Sequence, residues 1–266
     1  MPLAAAPVAP GGHTGRVNPT TVRPSPLFLG ILAVTVAGGV LTVTGSDAAQ
    51  TAGLVLLVLG GWAVSLCLHE FGHALVAYRG GDRAVRAKGY LTLDPRRYTD
   101  PGLSLVLPLL ILVIGGIPLP GGAVWINHYA LRSRAVESLV SLAGPLSNLV
   151  LGVLLAGSVE LFHPPLGLTA ALSLLALLEV FAFVLNILPV PGLDGFGALE
   201  PFLSAESRSF AAKVRPWAPL VLFAILIAIR PAYTVFSEIS LTIFNAVGGN
   251  GFYAELGFAR FFFWRR

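Results

Sequence analysis

The sequence predicts an all-α polytopic membrane protein with about six transmembrane helices and a re-entrant loop or short β-hairpin near its middle. Three observations predict this class. Mean hydropathy is +0.81, and with 55% hydrophobic against 11% charged residues the chain has too little polar surface to cover a soluble globule of 266 residues. Apolar segments recur at 27–45, 52–78, 136–159, 166–188, 217–229 and 232–247, several of them of the roughly 17–25 residues that cross ~30 Å of hydrocarbon. Basic residues cluster in alternate loops: Arg79, Arg83, Arg86, Lys88, Arg96, Arg97, Arg132, Arg134, Arg208, Lys213 and Arg215 share one side if the first span runs outward, while 46–51 and 160–165 carry Asp47 and Glu160 and no Lys or Arg. This positive-inside pattern predicts a multi-pass protein of the cell membrane with a cytoplasmic N-terminus.

Residues 1–26, rich in Pro and Gly and without a long apolar run, are expected to be a disordered cytoplasmic tail. Residues 27–248 are expected to form one domain, with its core at about 50–205, and 249–266 a basic C-terminal tail. The first two spans follow in order. Segment 103–117 is then too short for a comfortable crossing, and the arginines on both flanks ask for the same side, so it is expected to dip in and return or to lie along the interface. Asp100-Pro101 is a helix start. The Gly and Pro residues between Gly115 and Gly122 break that helix, and Ala123 to Asn127 reads as a short strand, making 116–127 a hairpin or re-entrant loop. The spans 136–159, 166–188 and 217–229 come next. Arg230-Pro231 interrupts the last, and 232–247 is read as a sixth span or a surface helix, since Arg260, Arg265 and Arg266 prefer the cytoplasm and so an even number of crossings.

The single cysteine, Cys67, excludes an intramolecular disulfide and reads as a small core residue. The scattered placement of the positive charge argues against a nucleic-acid partner; the lipid bilayer is the expected environment.

Chemistry concentrates in His69-Glu70-Phe71-Gly72-His73, inside the apolar run Ala52 to Tyr78. Histidines four apart lie on one helix face, so both imidazoles can reach one ion with the glutamate beside it to handle a proton. The expected ligands are therefore His69 and His73 of a single Zn2+, with Glu70 as catalytic base. Ionisable groups inside a span are costly and usually functional. A catalytic zinc takes a third protein ligand, and Asp194 is the best candidate: it follows the end of the span 166–188, and Pro189 and Pro191 force an extended approach before the turn-like Asp194-Gly195. Glu179, seven positions before Asn186, either lines the cavity or packs. His13, His128 and His163 read as ordinary histidines of a tail and loops.

Three motifs in order, His69 to His73, then Ala143-Gly144-Pro145-Leu146-Ser147-Asn148, then Asn186 to Gly195, make the chain resemble the site-2 protease family of intramembrane zinc metalloproteases. Gly89 to Pro95 and Asp100-Pro101 resemble the bacterial branch without a PDZ or other accessory domain. The resemblance implies His69, His73 and Asp194 as zinc ligands, Glu70 as catalytic acid/base, and cleavage of a transmembrane helix of another membrane protein near the cytoplasmic face. It also implies that Asn148 and Asn186 hold substrate or the oxyanion. Where many relatives have Trp-Ala-Lys-Pro-Val, this chain has Gly121-Gly122-Ala123-Val124-Trp125. A zinc transporter would need polar residues along a path and an internal repeat, neither of which is evident; an inactive scaffold would have lost Glu70 or a ligand. Neither substrate nor oligomeric state is legible.

Overall fold

The computed structural model describes residues 24–98 and 124–265. Among them every regular element is helical. The helices are α1 (Pro26–Leu41), α2 (Asp47–Gly80), α3 (Ala84–Ala87), α4 (Arg134–Phe162), α5 (Leu166–Asn186), α6 (Asp194–Leu199), α7 (Ala205–Val214), α8 (Ala218–Ala228), α9 (Arg230–Ala246) and α10 (Gly251–Phe261).

Local chemistry sets their ends. Ser46 caps α2 by accepting the Ala49 N–H, and Asp47 follows in the first turn, where a negative charge suits the helix dipole. The helix runs 34 residues and stops at Gly81, whose φ of 132° is open only to glycine at low cost. Ser133 caps α4 through the Val136 N–H, and α4 ends at His163 before Pro164 and Pro165. The last turn of α5 gives way to Pro189-Val190 and a turn at Pro191-Gly192.

α2, α4 and α5 form the centre. Trp62, Leu66, Leu174, Leu175 and Leu178 are buried between α2 and α5, and Val180 and Leu185 form a second core with Leu226, Phe236 and Phe244 from α8 and α9. α1 lies against α2 so closely that a Cβ on Gly53 would stand 2.7 Å from the Gly38 carbonyl. Small residues at such crossings let helix backbones touch, which is how helices associate where lipid removes the hydrophobic drive between them.

Among the described residues three helices, α2, α4 and α5, are long and apolar enough to cross a membrane. α7 and α8, bent by 61°, would add a fourth if read as one broken span, and α1 is a shorter apolar helix. The segment read as a span at 217–229 is thus only the 11-residue α8, cut off before Arg230-Pro231.

Other expectations change as well. Residues 124–127 carry no strand; they run as irregular chain in which the Val124 and Asn127 N–H groups and the Trp125 carbonyl meet side chains rather than a partner strand. The tail 1–23, the segment 103–117, Asp100-Pro101 and the rest of the presumed hairpin lie outside the described residues. Within 249–266, read as a tail, α10 packs Ala254, Gly257 and Phe261 inward, and Gly257 sits directly on the Ala170 carbonyl. Its Arg260 reaches Asp47, Gln50 and Thr51 at the start of α2. The charge argument had placed Arg260 and Asp47 on opposite sides. A local ion pair with hydrogen bonds outweighs the statistical preference of one arginine, so the argument for an even number of spans loses its basis.

Candidate metal centre

His69, Glu70 and His73 sit in the C-terminal half of α2, about 33 Å from Asp47 at ~1.5 Å per residue, and are 5%, 3% and 7% exposed. Their burial comes from α4. A Cβ on Gly72 would lie 2.9 Å from the Ala143 carbonyl, and one on Gly144 would overlap Nε2 of both imidazoles. The Ala143-Gly144 pair is therefore small for a steric reason: it lets α4 cover the histidine rings.

Each ring is held by its Nδ1. That of His73 donates to the Val140 carbonyl at 2.7 Å, and that of His69 donates to Asn148 Oδ1 at 2.6 Å; with both Nδ1 protonated, both Nε2 carry lone pairs. These two atoms face each other at 3.1 Å. Asp194 straddles them, with Oδ2 3.1 Å from His69 Nε2 and Oδ1 3.5 Å from His73 Nε2.

Asp194 is delivered by the turn after α5. Gly192 adopts φ 101°, Leu193 N–H returns to the Val190 carbonyl, and Asp194 opens α6. The neighbouring Gly195, read as half of a turn, is required because its Cα lies against the Ile187 and Leu188 carbonyls with no room for a side chain.

Two facing lone pairs and a carboxylate repel unless a cation lies among them. A tetrahedral zinc with bonds of about 2.0–2.1 Å spaces its ligand atoms roughly 3.3–3.4 Å apart, close to the three separations given above. The donor set of two imidazole nitrogens and one carboxylate also suits such an ion. His69, His73 and Asp194 thus fit a metal ion.

Glu70 projects into a cavity of about 240 Å³ lined also by His73, Val124, Ile126, His128, Val140, Ser141, Gly192 and Asp194. Its Oε2 accepts the Val124 N–H at 3.1 Å. Three residues on, the Asn127 N–H donates to Asp82 at 2.7 Å, and Lys88 Nζ reaches the Trp125 carbonyl while lying 3.6 Å over that ring. Outside the spans, the Arg96 fork on Asp94 holds that carboxyl below the usual carboxylate range, fixing the loop whose Thr92 carbonyl receives the Ser25 N–H at the head of α1.

The chain is 45% identical over 250 residues to the protein named "Putative zinc metalloprotease Rip2" of Mycolicibacterium smegmatis, covering 92% of this chain and 95% of the relative. The chain belongs to the site-2 protease family. The protein of the same name in Mycobacterium tuberculosis is 48% identical over 213 residues, 78% of this chain and 82% of that one. "Putative zinc metalloprotease YwhC" of Bacillus subtilis is 28% identical over 202 residues, 69% of this chain and 89% of the relative. No family model matches the chain. No solved structure matches it either.

Of the residues singled out in this member of the site-2 protease family, His69, His73 and Asp194 come together, with Glu70 beside them. Asn148 reaches the cluster, but through His69. Asn186 is buried at the end of α5, and among the described residues no hydrogen bond joins it to the cluster. Glu179 lines no described cavity; it accepts hydrogen bonds from Ser65 and Asn148. Cys67 is a fully buried core residue, and its carbonyl accepts the Tyr98 hydroxyl. His163 is exposed at the end of α4. Sequence reasoning missed Ser65 and Asp82, read Val124 as part of a strand and not as a partner of Glu70, and passed over His128, which lines the cavity with its Nδ1 2.8 Å from Glu137 Oε1. A signal for Ser65 existed in its spacing of four from His69, one turn away on the same face.

Proposed function

We propose that the protein is a zinc-dependent endopeptidase, with one zinc per chain, that hydrolyses a peptide bond in or near a transmembrane helix of a membrane-protein substrate. The observation that carries this reading is the convergence of His69 Nε2, His73 Nε2 and the Asp194 carboxylate beside Glu70, on a helix long and apolar enough to cross a membrane. The relatives' names support the zinc and the protease class.

In this reading His69, His73 and Asp194 hold the ion and Glu70 is the catalytic acid/base. A bound zinc would supply Lewis acidity, lowering the pKa of water toward ~7 and polarising the peptide carbonyl. Glu70 keeps Oε2 on the Val124 N–H and receives the proton of the attacking water on Oε1. The same oxygen then delivers it to the departing amine, so the carboxylate is regenerated. A helical substrate must unwind locally, because its carbonyls are otherwise engaged within the helix. In this reading the chain at 124–127 receives it: the Trp125 carbonyl and the Asn127 N–H are tied to Lys88 and Asp82, the Val124 N–H turns to Glu70, and the Ile126 peptide group is the one that pairs with the unwound segment.

The protein is proposed to be a multi-pass protein of the cell membrane, as the positive-inside pattern indicates, with α2 ending on the cytoplasmic side and water reaching the site from there. With Arg260 of α10 beside Asp47 at the opposite end of α2, this reading keeps the re-entrant segment at 103–117 and replaces six full crossings by an odd number.

The test is zinc content and cleavage of model transmembrane substrates by the purified protein. Glu70→Gln is expected to retain zinc and to lose about 10²–10⁴-fold in rate; cleavage at the wild-type rate ends the protease assignment. Ile126→Pro is expected to raise KM and leave zinc content unchanged.

A further inference from the structure

Two buried polar residues link His69 to a buried carboxyl group on another helix. Ser65 of α2, Asn148 of α4 and Glu179 of α5 are 1%, 2% and 1% exposed. We propose that Glu179 and Ser65, acting through Asn148, set the tautomer and aim of His69, and that Glu179 is a positioning residue of the metal centre; this rests on the reading of His69 as a ligand.

The direction of every hydrogen bond follows from one end. Glu179 Oε2 accepts from the Ser65 hydroxyl at 2.5 Å and from Asn148 Nδ2 at 2.8 Å. Ser65 has then spent its only proton, so its oxygen accepts the second Asn148 N–H at 2.9 Å. With both N–H groups turned to Ser65 and Glu179, the amide presents its oxygen to His69, whose Nδ1 must donate and whose Nε2 must carry the lone pair. An amide in the opposite orientation would face Nδ1 with an N–H, demand the lone pair there, and place a proton on Nε2, which would bar it from an ion. The acceptor on Glu179 therefore decides the tautomer of an imidazole on another helix. Oε2 serves as acceptor whether or not the other oxygen carries a proton.

Two further observations favour positioning over packing. A carboxyl among apolar helices is costly, so a residue that only filled space would be apolar. The hydrogen bonds to Glu179 are also one-sided: Oε1 has no partner among the described residues, while Oε2 has two, both belonging to the chain that leads to His69. Second partners of metal-bound histidines are known to matter to affinity, because they fix ring orientation and tautomer. The same network removes Asn148 from the substrate or oxyanion role implied by the family resemblance, since both of its N–H groups are already used.

The experiment uses the full chain in detergent, stripped by a chelator and titrated with zinc against a competing indicator, with the visible spectrum of the cobalt-loaded protein recorded in parallel. Glu179→Leu and Asn148→Leu are expected to weaken zinc binding by about 10–100-fold and to change the cobalt spectrum, while the metal-free proteins keep the wild-type elution volume and thermal midpoint. Glu179→Gln, whose carbonyl can accept both hydrogen bonds, is expected to recover most of the affinity. Wild-type affinity in either Leu variant overturns the proposal, as does a Gln variant as weak as Leu. If Glu179→Leu does not fold, Asn148→Leu carries the test from α4. His69→Ala tests the underlying reading separately: zinc held as tightly as in wild type would remove the metal centre itself.

Discussion

α2 is crossed at close range in two places. In its N-terminal half Gly53 meets Gly38 of α1, backbone on backbone. In its C-terminal half Gly72 meets Ala143 of α4, and Gly144 lies against the rings of His69 and His73. Both crossings rely on missing side chains, yet they accomplish different things. The first brings two apolar backbones together, and its neighbours Leu54 and Leu57 belong to a hydrophobic core. The second brings the Val140 carbonyl and the Asn148 amide within hydrogen-bonding distance of the two imidazoles. Close approach is a way to pack in one place and a way to deliver polar groups to a buried site in the other.

Enlarging the two crossings therefore has separable consequences. The largest effect is expected for Gly144→Ala, whose methyl would overlap both Nε2 atoms: zinc binding should weaken by at least about 100-fold, more than loss of an outer partner costs, in a protein that still inserts and purifies. Equilibrium dialysis of zinc checks it. Gly72→Ala should follow, costing about 1–3 kcal/mol from overpacking against the Ala143 carbonyl and lowering cleavage and thermal midpoint together. Gly53→Leu should cost a similar ~1–3 kcal/mol, but its folded fraction should bind zinc as wild type does; a matching drop in zinc affinity would erase the distinction. The smallest effect is expected for His128→Ala, which removes a ring from the cavity wall without touching the cluster. Cleavage should slow about tenfold, as for loss of one hydrogen bond near a charged group, with zinc content unchanged.

The local part of the site was legible because its geometry is local. His69 and His73 share a face through the helical period alone, and Glu70 follows from its position between them. Asp194 was readable because Pro189 and Pro191 restrict the chain just before it. The partners of these residues were not readable in the same way. Ser65 and Glu179 are 114 positions apart, and Asn148 and Ser65 are 83 apart; only the packing of three helices brings them together. Asn148 was singled out, but the turning of its amide to Ser65, Glu179 and His69 was not legible, since a motif marks a position without saying where its amide points. Arg260 was misplaced for a related reason: a charge rule averages over loops, whereas its partners Asp47 and Thr51 lie more than 200 positions away.

By itself, the sequence pointed to a helical membrane protein with His69 and His73 on one face of a long apolar helix, Glu70 beside them, and a carboxylate behind a proline-bounded turn. These follow from hydropathy, helical period and backbone restriction, all of which act over a few residues. Tertiary structure alone decided which atoms hold the imidazoles, which way the Asn148 amide faces, that the Val124 N–H meets Glu70, and that α10 carries Arg260 to the far end of α2. Hydrogen-bond direction and close helix contact depend on the relative placement of distant segments, and local pattern carries no record of that placement.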